Sequence, residues 1–273
     1  MLTLLQRILN DAGVHGEITQ LAISLGLIFA RVSIAISLCP FLGGKGTSGR
    51  IKVGLAVVIS VLLFGNVAPS PLEALSTVTF MCLLIKEVII GATLGLFTQI
   101  VFHSIQMAGA MIDYARGMSQ ATLFAPQLET NTSLLGHLQF QASLVLFLLL
   151  NGHLSFLRAL GQSYYTLPIF SFPAFSGGIV GVTDQAAHYT AESLLIAVQL
   201  SAPALLALFL VDVSFGMLGR VASGLNVHNE SQPVKAMVGL AIVLLALAYI
   251  VNRMPNYFSE LVQQINELMQ HLR

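Results

Sequence analysis

The sequence predicts an all-α protein built of membrane-associated helical hairpins, and three observations carry that expectation. Only 9% of the residues are charged and 56% are hydrophobic, against about 25% charged in soluble domains. That leaves too little charge to solvate the surface of a globule, and the mean hydropathy of +0.84 places the chain in lipid or inside a larger apolar assembly. The apolar residues are gathered into about six runs that approach the roughly 20 residues of a bilayer span. The stretches between them carry clusters of glycine, proline or polar residues, the composition of turns and loops.

Taken in order, the first run covers residues 18–42, with Arg31 near its middle. "GGKGTSGR" follows as a glycine-rich basic loop, then a second run over 51–67 and a turn at "APSP", where proline presets turn dihedrals. The third apolar region, 72–102, contains "IKEVIIGATLGLF" and hence the pair Lys86–Glu87. Next comes "MIDYARGMSQATLFAPQ", which sets an acid, a base, a glycine and a proline between two oily regions. A fourth run covers 134–150 and a fifth 192–218, which holds Pro203 and Asp212. The polar stretch "GRVASGLNVHNESQPVK" reads as the tip of a hairpin, with Asn226, His228, Glu230 and Lys235, before a sixth run at 236–251. In the tail, Phe258, Leu261, Ile265, Leu268 and Leu272 recur at three- and four-residue steps, the pattern of an amphipathic helix.

The N-terminus lacks the form of a signal peptide, because Asn10, Asp11, His15 and Glu17 interrupt the apolar stretch after Arg7. Basic residues of the loops (Lys45, Arg50, Lys52, Arg116, Arg220, Lys235) fall on one side and Arg7, Arg158, Arg253 and Arg273 on the other, which orients both termini outside. A charge at a span's centre costs at least about 2.5–3.5 kcal/mol, so Arg31, Lys86, Glu87 and Asp212 are expected to find partners or to line a path. Lys86 and Glu87 point about 100° apart on a helix and are expected to reach different partners. Asp113 and Arg116 are three apart and placed to pair. Gly26-x-x-x-Ala30 and Gly91-x-x-x-Gly95 are expected to let helices approach closely.

Several function classes are excluded or unsupported. A formal net charge of zero offers no basic patch, so nucleic acid is not an expected partner. Cys39 and Cys82 lie in separate apolar runs and read as small membrane-buried residues, with no metal spacing. No phosphate-binding GxxxxGK[ST], no HExxH and no G-x-S-x-G occurs, and the His residues are scattered, His153 of "NGH" reading as a packing residue. The expectation is a protein that is not an enzyme and needs no cofactor or metal.

Four stretches in order, "LLIKEVIIGATLGLF", "AGAMIDYARGMSQATLFAPQ", "LFLLLNGHLSFLRALGQSYYTLPI" and "SAPALLALFLVDVSFGMLGRVASGLNV", resemble the FliR/SctT family of export-gate proteins of bacterial flagella and type III injectisomes. "NGH" followed by "SYYTLPI" looks more like the flagellar branch. The resemblance spans essentially the whole chain. It implies a FliP-like helical part over residues 1–190 and a FliQ-like helical hairpin with a terminal amphipathic helix over 191–273. It further implies one copy of this chain joined to FliP-like and FliQ-like subunits in the inner membrane, beside FlhB-like and FlhA-like export components, as a closed pore for unfolded proteins.

In that family the loop matching residues 116–126 plugs the pore. Carried over, Gly117 supplies flexibility, Met118, Leu123 and Phe124 the seal, and Ser119, Gln120 and Thr122 local hydrogen bonds, with Asp113–Arg116 bracing the base. An apolar constriction of this kind excludes ions by dewetting. One departure stands out: Ser223-Gly224 and "HNESQ" make the hairpin tip more polar than the family pattern. The alternatives are an injectisome-type subunit, a secondary small-solute transporter, for which Pro203 is placed to break a helix near Asp212, and a membrane scaffold without a pore.

Overall fold

The computed structural model of the protein describes residues 14–44, 47–65, 76–117, 133–172, 178–221 and 229–245. All regular structure in these residues is helical: α1 (Val14–Leu38), α2 (Pro40–Gly43), α3 (Gly49–Phe64), α4 (Thr77–Ala115), α5 (Leu134–Leu149), α6 (Gly152–Thr166), α7 (Gly178–Val221) and α8 (229–245).

The run at 18–42 is divided at Cys39, after which Pro40 opens α2 as its first residue. That placement costs nothing, since the first N–H of a helix has no partner to lose. α4 runs 39 residues and continues well past the third apolar run. Its core positions Val101, Phe102, Ile105, Ala108 and Ile112 keep three- and four-residue steps to the end, so the helical face persists where the composition turns polar. α5 begins behind Ser133, whose hydroxyl accepts from the Gly136 N–H as an N-cap. It ends before Asn151, which sits at φ 58°, a left-handed conformation that Asn tolerates better than most residues. α7 is 44 residues long with Pro203 inside it and no break, so it lacks the broken helix that the transporter alternative would need there.

Of the about six expected spans, three described helices are long and apolar enough to cross a membrane: α1 within Leu21–Leu38, α4, and α7 within Ala187–Val221. A fourth arises only if α5 and α6, interrupted at Leu150–Asn151, count as one. α3 has 16 residues and rises about 24 Å, short of a hydrocarbon core of about 30 Å. The amphipathic tail expected at 255–273 lies outside the described residues.

The chain forms two compact units, each assembled from separate stretches. One comprises residues 1–99, 154–182 and 262–273, the other residues 100–153 and 183–261. In the first, α1 buries Leu27, Ile28, Val32, Ala35 and Ile36, the first half of α4 buries Leu83, Ile90 and Leu94, and α6 buries Phe156, Ala159 and Leu160. Gly91 and Gly95 bring α4 against α1: a Cβ at Gly91 would lie 3.1 Å from the Arg31 Cα, and one at Gly95 2.6 Å from the Leu38 Cβ. Gly26, by contrast, faces open space and makes no such approach. In the second unit Ile112, Leu135, Ala204, Leu208 and Val243 form a core drawn from α4, α5, α7 and α8. These units group residues by packing. The expected division near residue 190 concerns resemblance to two kinds of subunit, a separate matter.

Candidate functional site: two charged clusters

The first cluster lies in the first unit. Arg31, Glu87 and Lys86 fall at core positions of their helices and are 0%, 0% and 6% exposed. Arg31 donates from Nε to Glu87 Oε2 at 2.5 Å and from its terminal nitrogens to Glu87 Oε1 at 3.0 Å, Ser163 Oγ at 2.9 Å and the Leu167 carbonyl at 3.0 Å. Its guanidinium lies 4.1 Å from the ring centroid of Tyr164, whose hydroxyl donates to the Ile28 carbonyl. Two parallel N–H···O bonds to one carboxylate are the geometry that makes buried Arg pairs strong.

Lys86 Nζ donates to the carbonyls of Pro168, Ile169 and Ser171 at 2.8, 2.7 and 3.1 Å, pinning the segment that leaves α6. It also lies 2.8 Å from Glu87 Oε1. The neighbours therefore do reach different partners, as helical geometry requires, and also touch each other, against expectation. The Lys stem is long enough to bring its ammonium back over the adjacent carboxylate once both side chains turn toward Arg31. Two cations and one anion leave the cluster one positive charge in excess, which the loop carbonyl dipoles offset. Every side chain in it is engaged, and together they join α1, α4 and α6 to the 167–171 segment.

The second cluster lies in the second unit, at the root of the stretch singled out in the sequence. Asp113, 3% exposed, accepts from Arg116 at 2.9 Å on one oxygen, and from the Ser133 hydroxyl at 2.6 Å and the Leu135 N–H at 2.9 Å on the other. The expected Asp113–Arg116 pair is present. One carboxylate thus ties residue 116, where the chain leaves α4, to residues 133 and 135, where α5 starts. Arg116 Nε is buried without a hydrogen-bond partner. Gly117 takes φ 80°, a region where a side chain is strained. The plug positions Met118, Ser119, Gln120, Thr122, Leu123 and Phe124 lie outside the described residues.

Asp212 of α7 pairs with Lys235 of α8. Its side chain is 49% exposed, so the expectation of a buried Asp212 is corrected. The helix reaches its outer face there. Lys235, read from the sequence as part of the hairpin tip, is buried within the described part of α8. Glu230 is exposed on α8, while Asn226 and His228 lie outside the described residues. Cys39 is buried within the chain, and Cys82 is exposed on the outer face of the apolar helix α4. His153 keeps a buried Nδ1 without a hydrogen-bond partner. Among the described residues no cluster of His, Cys, Asp and Glu suits a metal ion.

Ser133, Ser163 and Tyr164 are participants that the sequence reading missed. Ser133 had a legible signal, a Ser directly before an apolar run and hence a candidate N-cap. The others depend on tertiary packing alone.

Residues 22–261 match the model of the family described as bacterial export proteins, family 1. The chain is 30% identical over 244 residues to the flagellar biosynthetic protein FliR of Pectobacterium carotovorum, covering 89% of this chain and 92% of that protein. It is 27% identical over 248 residues to the FliR of Bacillus subtilis, covering 89% and 93%. It is 30% identical over 221 residues to Yop proteins translocation protein T of Yersinia pestis, covering 80% and 84%. Similarity to the flagellar proteins extends over more of the chain, which favours the flagellar branch.

Proposed function

The chain belongs to the bacterial export proteins, family 1, and on that premise we propose that it is a core subunit of the flagellar export gate. With FliP-like and FliQ-like subunits it forms the closed pore through which unfolded proteins leave the cell, beside FlhB-like and FlhA-like components in the inner membrane. The observation that carries this reading is α4. An unbroken apolar helix of 39 residues rises about 58 Å. Even at a tilt of about 40°, near the limit for membrane helices, it exceeds a hydrocarbon core of about 30 Å. Such a helix cannot lie wholly in lipid, so protein must cover what projects. The apolar outer faces of α3 (Ile51, Val57, Val58, Leu62) and α7 (Leu206, Phe209, Leu210, Met217) are suited to partner subunits rather than water.

A small-solute transporter needs charges free to meet its cargo and helices broken near the midplane. Here Arg31, Lys86 and Glu87 are spent on one another and on Ser163 and the 167–171 carbonyls, and α7 passes Pro203 unbroken. Coexpression with FliP-like and FliQ-like chains is the test. A stable complex containing one copy of this chain supports the gate, and a monodisperse protein active alone in solute uptake sinks it.

Within the gate, the stretch from Gly117 to Phe124 acts as the plug, with Met118, Leu123 and Phe124 as its apolar seal. Apolar side chains leave a lumen unattractive to water, so deleting residues 118–124 hydrates the closed pore. The expected outcome is ion leakage through an otherwise assembled complex without export in progress. A deletion complex that stays ion-tight and exports at the normal rate removes the plug assignment.

A further inference from the structure

The end of α4 and the last described helix meet across glycines. On α8, Gln232, Lys235, Gly239 and Val243 recur at three- and four-residue steps and so share one face. Lys235, Gly239 and Val243 are buried and Gln232 is partly so. A methyl group at position 239 would lie 2.9 Å from Arg116 Cγ and nearer still to Cδ. The missing side chain is what gives the Arg116 stem its place. In the reverse sense, a Cβ at Gly117 would lie 2.8 Å from Gln232 Oε1 and 3.3 Å from its Cδ. Each glycine yields its space to a long side chain of the other element. Between the two contacts, Lys235 pairs with Asp212 of α7, which links α8 to α7 along the same face. The Arg116 guanidinium is held from its other side by Asp113.

We propose that the α7–α8 hairpin is the positioning element for the Arg116–Gly117 root. Gln232 and Gly239 form its seat, and the Lys235–Asp212 pair joins the two helices of the hairpin beside it. The root then cannot change direction unless α8 withdraws from the end of α4, so hairpin displacement and release of whatever the root carries are one movement. The inference rests on the gate reading above only for what that release does.

Two experiments in the coassembled complex test it. Gly239→Ala drives a methyl into the Arg116 stem and is expected to raise ion leakage of the idle complex several-fold with assembly unchanged. Arg116→Ala removes the stem being struck, so adding Gly239→Ala to it changes nothing further. Residues in contact are non-additive in this way, and strictly additive effects overturn the seat. The second experiment pairs Arg116→Cys with Gly239→Cys, with Cys39→Ala and Cys82→Ala to remove the native thiols. The Cγ distance above places the two Cβ atoms within about 4.5 Å, the reach of a disulfide. Mild oxidation of the idle complex is expected to form the bond and stop export, and a reductant to restore it. Failure of the bond to form overturns the seat. A bond that forms while export continues overturns the positioning role. If no complex with FliP-like and FliQ-like chains forms, it is the gate reading that fails, and bond formation in the isolated chain still decides the seat.

Discussion

Arg31 and Glu87 are fully buried and every polar group around them is matched, whereas Arg116 leaves a buried Nε unmatched and Asp212 keeps half its side chain exposed. Both clusters are carried by apolar helices, and both use α4. The first is over-determined: a bidentate pair, a cation over an aromatic ring and three carbonyls on one ammonium. The second hinges on one carboxylate, two glycines and an edge ion pair. Buried polar networks specify a unique arrangement only when all members are satisfied. The comparison therefore separates a cluster whose side chains are all matched from one that is matched only in part.

The sharpest test of that contrast is Glu87→Ala, which strands Arg31 and Lys86 together in the interior. Removing one partner of a buried pair costs about 3–5 kcal/mol, and this site has two cations to strand. The expected outcome is a chain that no longer enters the complex, read as lost copurification at normal expression. Normal assembly with export alone abolished would move the cluster from scaffold to transport path and dissolve the contrast.

Asp113→Ala comes next. It deprives the Ser133 hydroxyl and the Leu135 N–H of their acceptor and frees Arg116, at about 1–3 kcal/mol for an unmatched buried donor. The complex is expected to assemble, but with faster hydrogen exchange at the start of α5. Unchanged protection there would mean that the carboxylate does not tie the two ends. The smallest effect is expected of Asp212→Ala. The pair is half exposed, worth about 0–1 kcal/mol, and the Lys235 stem can carry its ammonium outward. A loss of melting temperature matching that of Glu87→Ala would show the two clusters to be equals.

The sequence made the charges within apolar runs legible, because a lone charge there demands a partner whatever the fold. It also made Asp113–Arg116 legible, since a three-residue step on a helix is local geometry. It did not reveal that α4 extends to Ala115: His103, Gln106 and Asp113 dilute the hydropathy, although the buried face runs on beneath them. It misjudged Lys86 and Glu87 by treating helical direction as fixed, when long side chains bend toward a shared partner. Ser163, Gln232 and Gly239 act through contacts 132 residues away in the chain for Ser163, and across α4 and α8 for the other two, which no local pattern encodes. Fewer described helices than apolar runs are long enough to span, because α3 is apolar but only 16 residues long and the run at 236–251 is described only as far as residue 245.

The separation along the chain between Arg31 and Glu87 also has a meaning for biosynthesis. The two are 56 residues apart. At about 5–20 residues per second the ribosome needs roughly 3–11 seconds to supply the carboxylate after the guanidinium. α1 thus meets the insertion machinery as an unneutralised helix, whereas Glu87 arrives beside Lys86 and enters as a neutral pair. Insertion of α1 is expected to stay reversible until α4 emerges. A nascent chain arrested just before residue 87 should accordingly show α1 incompletely inserted by site-specific labelling, and one arrested well beyond α4 should show it in place.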